Sequence, residues 1–391
     1  MILQKLSDKF IELFNTANYS RLFFAPGRVN LIGEHTDYNG GNVFPCALDI
    51  GTYALVRQRA DKLCKFYSLN FTEIGLIEFN VDNLELNQEH DWVNYPKGVI
   101  VEFAKRGINL AKGFDIVFYG NIPNGAGLSS SASIEVLMGT ILNSFTNNTV
   151  DAIHIALIGQ AAENNYIGVG CGIMDQFASS MGKSNHALLL DCNTLQYQYV
   201  PLKLTGYKIV IANTNKRRGL ADSKYNERLA ECQQALKIVQ QTYTVKSLAE
   251  LTEQQLFAIK HLFTNQVIYQ RACHAVSENQ RTLTAVKALT NNNLAEFGEL
   301  MKASHESLRY DYAVTGKELD SLVGHAWKQN GCIGARMTGA GFGGCTVNIV
   351  ENSQIDNFIE RVSNNYTQDT GLMAEFYIVN PSDGARELDI G

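Results

Sequence analysis

Residues 123–138 read PNGAGLSSSASIEVLM. A strand-like run, Phe114–Tyr119, precedes the glycine-serine segment, and Ile134–Met138 after it has the apolar density of a buried helix. The order strand, glycine-serine loop, helix N-terminus suits a phosphate group. Glycine lets the backbone approach closely, the first-turn N–H groups lack intrahelical partners, and the helix dipole favours negative charge. The serines add hydroxyl donors, caps and oxygen ligands for a metal. A flexible Gly/Ser connector is the competing reading, and the buried-looking elements on both sides argue against it. Two common phosphate motifs are excluded. A Walker A loop needs Gly-Lys-Ser/Thr, yet no lysine lies between Gly113 and Lys183; a dinucleotide fingerprint would want glycine at Ser130. Charge on a bound phosphate must therefore be met by something other than a loop lysine.

Outward from the loop, acids are the next signal. In AIHIALIGQAAENNYIG, residues 152–168, apolar positions cover most of a helix circumference, and Glu163 is a costly carboxylate to place there. Mg²⁺ shared between Glu163, a serine hydroxyl and phosphate oxygens would offset that cost; a solvated glutamate on the last turn is the alternative. Asp175 follows three glycines in GVGCGIMDQFAS and reads either as a helix cap or as a base on a rigid turn.

APGRVNLIGEHTDYNGG, residues 25–41, gathers Arg28, Glu34, His35 and Asp37 between Pro-Gly and Tyr-Asn-Gly-Gly turn signals. Two carboxylates and an imidazole in four residues are good partners for vicinal sugar hydroxyls. A metal site and a solvated turn remain alternatives for the same residues. ARMTGAGFGGCTVNIV, residues 335–350, carries glycine or alanine at 339, 340, 341, 343 and 344 before a strand-like run, so its backbone passes close to something.

The whole chain has 391 residues, enough for two domains, with 45% hydrophobic and 18% charged residues, a composition that supports a large core. Its 33 basic and 39 acidic residues leave a net charge of -6, which offers no broad attraction to nucleic acid or an anionic membrane. MILQKLSDKFIELFNTANYS reads as an amphipathic helix and not a signal peptide, and no run approaches the roughly 18 apolar residues of a membrane span. Eight cysteines without a Cys-x-x-Cys pair suit buried thiols in a reducing cytoplasm. Strand-like runs dominate up to about residue 205. Helical spacing follows at 222–240, 276–290 and 293–308, strands return at 345–350 and 374–379, and Thr315–Glu318 has the form of a capping box. The expectation is an α+β fold of two lobes, 1–205 and 206–391, with the ligand in the cleft between them.

Three of these segments together carry a family resemblance. GRVNLIGEHTDYNGG with CGIMDQ is similar to the galactokinase signature; GNIPNGAGLSSSASIEV and RMTGAGFGGC are similar to the phosphate and C-terminal glycine motifs of the GHMP small-molecule kinases. The chain resembles galactokinases nearly end to end. The resemblance implies a two-lobed GHMP kinase fold, with an N-terminal lobe like domain 2 of ribosomal protein S5. It implies phosphorylation of the C1 hydroxyl of galactose by ATP with Mg²⁺, as the first committed step of galactose breakdown, by a monomer in the cytoplasm. It implies further that Asp175 is the catalytic base and Arg28 its partner. Glu34, His35, Thr36, Asp37, Gly172 and Tyr225 would bind the sugar. Ser68, Trp92 and Tyr95 would lie beside the adenine, with Gly125, Ala126, Gly127, Leu128, Ser129, Ser130 and Ser131 around the ATP phosphates, and Ser131 and Glu163 on the metal. Ala340 departs from the glycine common in relatives, and the GARELDIG tail has no clear counterpart.

The chemistry implied is coherent, because phosphoryl transfer asks mainly for in-line positioning and charge neutralisation. An N-acetylgalactosamine kinase and a sugar sensor without turnover are the competing functions. The intact GLSSSAS and Asp175 weigh against the sensor.

Overall fold

The computed structural model describes residues 2–19, 21–123, 127–147, 149–216 and 221–390. In chain order these form α1 (Ile2–Phe14), β1 (Arg21–Asn30), β2 (Asn42–Val43), β3 (Pro45–Gln58), β4 (Leu63–Ser68), β5 (Ile77–Asn80), α2 (Asn94–Lys105), β6 (Phe114–Gly120), α3 (Ser130–Phe145), α4 (Ala152–Ala161), α5 (Met174–Met181), β7 (His186–Asp191), β8 (Tyr197–Pro201) and β9 (Tyr207–Asn213). There follow α6 (Ala221–Val239), α7 (Glu253–Ala258), α8 (Gln266–Thr290), α9 (Leu294–Tyr310), α10 (Gly316–Ala326), β10 (Cys332–Thr338), β11 (Cys345–Glu351), α11 (Ile355–Thr370), β12 (Glu375–Val379) and β13 (Arg386–Leu388).

The first sheet has the order β13-β1-β3-β6-β4-β5. Its period-2 alternation sorts side chains onto two faces. Phe114, Ile116 and Phe118 of β6, with Ala54 and Val56 of β3, pack against Leu137, Met138 and Ile141 of α3. Leu55 and Val117 point the other way, onto Leu6 and Phe10 of α1. The N-terminal segment is thus a docked amphipathic helix.

The second sheet, β10-β11-β9-β12, repeats the logic. Ile209, Ile211, Val347 and Ile349 face Ala285 and Leu289 of α8 and Phe297 and Met301 of α9. Val210, Ala212 and Val350 face Leu322 of α10 and Phe358 and Val362 of α11. Val29, Leu31, Ile32 and Phe44 join the former cluster, so one apolar core runs from the first half of the chain into the second. A small sheet, β2-β7-β8, lies beside it.

Three local expectations are corrected. Pro26-Gly27 is not a turn: both lie within β1, where the pairing with β3 shifts register between Pro26 and Arg28. Glycine is required there, since a Cβ on Gly27 would sit 2.7 Å from the Leu128 carbonyl oxygen. Helix α10 begins where expected, but the Thr315–Glu318 capping box does not form; Glu318 instead accepts from Lys216 at 2.7 Å, and Thr315 bonds Asp320. The tail, for which the sequence suggested no role, supplies β13, the edge strand paired with β1 through Phe24↔Arg386.

Candidate active site

The bulge in β1 aims Arg28 at α5. Its Nε donates to Asp175 Oδ1 at 2.8 Å, its Nη1 to the Gly127 carbonyl at 2.8 Å, and its backbone N–H to the Leu128 carbonyl at 3.2 Å. One arginine therefore ties the phosphate loop to Asp175. The second carboxylate oxygen of Asp175 accepts from Ser129 Oγ at 2.7 Å. Ser129 holds a left-handed φ of +63°, a strained state for a non-glycine residue, and as the N-cap of α3 its hydroxyl serves Asp175 and not the helix N–H groups. Asp175 sits in the first turn of α5 without capping it.

A cavity of about 300 Å³ opens beside this junction. Arg28, Glu34, His35, Asp37, Gly172, Asp175 and Tyr225 all line it, so residues far apart in the chain converge there. Glu34 is buried, its Oε1 accepting from the Gly339 N–H at 2.8 Å and from Arg336 at 3.4 Å. His35 Nδ1 pairs with the Tyr38 hydroxyl at 2.8 Å, and burial drives its pKa down to about 3, so the ring is neutral. Burial first, then repulsion from Asp175, raises the Asp37 carboxyl to about 7. A Cβ at Gly172 would come within 1.8 Å of Asp37 Oδ2, so only glycine lets the two segments meet. Thr36 is the expected sugar residue that does not line this cavity: its hydroxyl donates to the Gly33 and Asn42 carbonyls at 2.9 and 2.7 Å and closes the turn.

A second cavity of about 160 Å³ lies on the other side of the serine loop. Ser68, Trp92 and Tyr95 line it together with Ser130 and Ser131, so residues expected beside the adenine share one pocket with two expected at the phosphates. Phe71 stacks parallel to Trp92 at 6.4 Å and Phe118 meets it edge-on at 5.3 Å. Trp92 Nε1 is buried with no acceptor among the described residues. Gly125 and Ala126, expected at the phosphates, lie outside the described residues, whereas Gly127 and Leu128 meet Arg28 as above.

Behind the loop, Glu163 sits where α4 widens into a π-turn, Ala162–Ile167, a feature frequent at functional sites. Ser131 and Cys171 hydrogen-bond its carboxylate, and Gln176 Nε2 donates to it at 2.8 Å and to the fully buried Glu135 at 2.9 Å. Burial, then repulsion from Asp175, lifts the Glu163 carboxyl to about 7, and burial with repulsion from Glu163 raises Glu135 well above the usual carboxylate range. Three carboxylates thus share a region in which Arg28 reaches only Asp175. A hydroxyl and a carboxylate are hard oxygen donors of the kind Mg²⁺ takes. Among the described residues no three His, Cys, Asp or Glu side chains form a metal cluster by themselves.

Several cavity residues carry no role in the sequence alone, Met174 although it lies within CGIMDQ. Asn226 and Met174 line the first cavity, and Asn70 and Phe71 the second. Arg336 and Ala340 lay within a quoted glycine motif without a role. Ala340 is on the first cavity wall with a negative φ, so its methyl group costs the loop nothing.

The galactokinase galactose-binding signature matches residues 8–58, the GHMP kinase N-terminal domain residues 94–183, and the GHMP kinase C-terminal domain residues 285–368. The chain is 60% identical to a galactokinase of Clostridium beijerinckii, covering 98% of each, and 52% identical to a galactokinase of Bacillus subtilis, covering 98% of the chain and 99% of that protein. The crystal structure of Lactococcus lactis galactokinase complexed with galactose superposes with a TM-score of 0.97 at 47% identity, over 99% of this chain and all of that one. A mevalonate kinase at 19% identity and a TM-score of 0.66 shares the fold, over 92% of this chain and 99% of that one.

Proposed function

The chain belongs to the galactokinase family, and from that premise we propose that it transfers the γ-phosphoryl group of ATP to the C1 hydroxyl of galactose, yielding galactose 1-phosphate, the first committed step of galactose breakdown. The observation that carries this reading is the position of Asp175, which lines the first cavity while Ser129 and Arg28 bind it to the loop that borders the second.

A cavity of about 300 Å³ is at the lower end for small-molecule sites and suits a monosaccharide. Glu34, His35, Asp37 and Tyr225 bind sugar hydroxyls there, while Thr36 shapes the turn that presents them. Asp175 Oδ accepts the C1 hydroxyl proton as that oxygen attacks the γ-phosphorus, and the anomeric hydroxyl is more acidic than an ordinary alcohol, which suits a carboxylate base. Arg28 orients Asp175 and faces the charge that develops at the transferred group. The ATP base lies between Trp92, Tyr95 and Phe71 near Ser68, and the triphosphate meets residues 125–131 and the N-terminus of α3.

Ser131 and Glu163 would hold Mg²⁺, and the raised Glu163 carboxyl, with no cationic partner among the described residues, fits that assignment. When bound, the ion neutralises phosphate charge and helps align the γ-phosphoryl group.

We place the protein in the cytoplasm, where its eight free thiols suit a reducing compartment; no described helix is long and apolar enough to cross a membrane. We assign it a monomeric state, which size-exclusion chromatography with light scattering checks. The test of function is ADP release with Mg-ATP across galactose, N-acetylgalactosamine, glucose, mevalonate and homoserine. Turnover is expected with galactose; galactose binding without turnover would instead make the protein a sensor.

A further inference from the structure

A file of polar groups leads away from the first cavity into the protein. His35 Nδ1 lies 2.8 Å from the Tyr38 hydroxyl, which lies 2.7 Å from the Tyr312 hydroxyl, which in turn lies 3.1 Å from Cys232 Sγ. Asn39 Nδ2 donates to that sulfur at 3.6 Å and ends the file. Tyr312 is fully buried and Cys232 nearly so. The rings pack on one another: His35 to Tyr312 at 4.8 Å, Tyr38 to Tyr225 at 5.3 Å, and His274 to Tyr312 at 4.4 Å.

The direction of the hydrogens follows from the chemistry of the two ends. Imidazole nitrogen is the strongest acceptor in the file and the thiol sulfur the weakest, while a phenol is a good donor. The sulfur already accepts from Asn39, leaving its own hydrogen free to enter the file. The favoured sequence is therefore Cys232 S–H to Tyr312, Tyr312 O–H to Tyr38, and Tyr38 O–H to His35 Nδ1, each bond polarising the next. A neutral imidazole carries one hydrogen, and the partner of one nitrogen decides the state of the other. His35 Nε2 is buried without a well-formed hydrogen bond among the described residues, the Ala340 backbone being the ring's other polar neighbour, and His35 is part of the cavity wall.

We propose that Tyr38 and Tyr312 are positioning residues of the sugar site, whose hydroxyl file locks His35 as the Nε2–H tautomer so that the ring offers a donor to a sugar oxygen. The inference rests on the assignment of the first cavity to galactose.

The test combines ¹⁵N NMR of histidine ring nitrogens, with His35 assigned by loss of its signals in His35→Gln, and calorimetric galactose binding. Wild type is expected to show a protonated Nε2 and a bare, hydrogen-bonded Nδ1. Tyr38→Phe should shift His35 toward a mixture of tautomers and weaken galactose binding about tenfold, the loss of roughly one hydrogen bond to a buried group. Tyr312→Phe, one link further away, should weaken it about threefold by removing only the polarisation of Tyr38, and nucleotide affinity should hold in both. A protonated Nδ1 in wild type, or an unchanged tautomer in Tyr38→Phe, overturns the proposal. Should Tyr38→Phe not fold, Tyr312→Phe carries the same two readouts. The sugar-site assignment itself fails when galactose leaves the wild-type His35 signals unmoved; the file fails when galactose moves them and the tyrosine variants do not.

Discussion

The two cavities on either side of Ser129–Ser131 differ in their ionisable groups: Arg28, Glu34, His35, Asp37 and Asp175 line the first, whereas aromatic, apolar and uncharged polar residues line the second. On the sugar side, Glu34 is held by the Gly339 N–H and Arg336, His35 by Tyr38, and Asp175 by Arg28 and Ser129, with residues drawn from both halves of the chain. On the proposed nucleotide side, Phe71, Trp92, Phe118 and Ile134 form an apolar wall beside Thr52, Ser68, Asn70, Ser130 and Ser131, all drawn from the first half of the chain, and Trp92 Nε1 has no acceptor among the described residues. A sugar presents hydroxyls that differ only in direction, so its site needs polar groups fixed in advance. A purine presents a flat face, so stacking area suffices and fewer polar groups are needed. On the proposed assignment, the difference teaches that selectivity would reside in the convergence of distant segments, and nucleotide affinity in local aromatic packing.

The comparison can be broken most severely at Asp175. Asp175→Asn keeps the shape but removes the proton acceptor, and should lower kcat by about 10³ or more while nucleotide binding, read by fluorescence titration, stays near wild type. Retained turnover would remove Asp175 from its role.

Gly172→Ala probes the convergence itself. Because its Cβ would press on Asp37 Oδ2, kcat/KM for galactose should fall about 100-fold, the scale of a misplaced site. KM for ATP should move far less. Equal losses for both substrates would mean that the two sites are not separately built.

Glu163→Gln tests the metal side through pH. With the Glu163 carboxyl raised to about 7, metal binding must displace a proton below that pH, so apparent Mg²⁺ affinity should strengthen as pH rises through about 7 in wild type and stay flat in the variant. The stability sign runs the other way. The folded-state pKa is above the unfolded value, so the contribution of Glu163 is fully present below the unfolded pKa and lost as pH rises through about 7. Metal-free Glu163→Gln should therefore melt at a higher temperature than wild type at pH 8, and calorimetry without Mg²⁺ or ATP checks this. The smallest effect is expected from Trp92→Phe, which keeps an aromatic ring but drops the orphan donor; KM for ATP should rise about threefold and galactose affinity should not change.

Much of this site was legible because its chemistry is locally written. The serine loop announces itself through glycine freedom and a following helix, and Glu34, His35 and Asp37 stand within four residues of one another. Other features were opaque for identifiable reasons. Pro26-Gly27 carries a turn signal, yet sheet pairing overrode it and made a bulge that aims Arg28. Thr315 and Glu318 have capping-box spacing, but Lys216 and Asp320 compete for their side chains once the fold closes. Thr36 sits among sugar-site residues in sequence and turns inward to close the loop. Tyr38 and Tyr312 form a hydroxyl pair across 274 positions, which no local pattern encodes.

By itself the sequence determined the alternating strands, the amphipathic helices and the three motifs, because propensity, periodicity and backbone freedom act over a few neighbouring residues. Only the tertiary structure decided that Arg28 would meet Asp175 across 147 positions, that Asp37 would need glycine at 172, and that the chain's tail would close the edge of β1. Those contacts depend on how packed faces bring distant segments within about 3 Å, the range in which hydrogen bonds and ion pairs act, and that distance is set by the whole core.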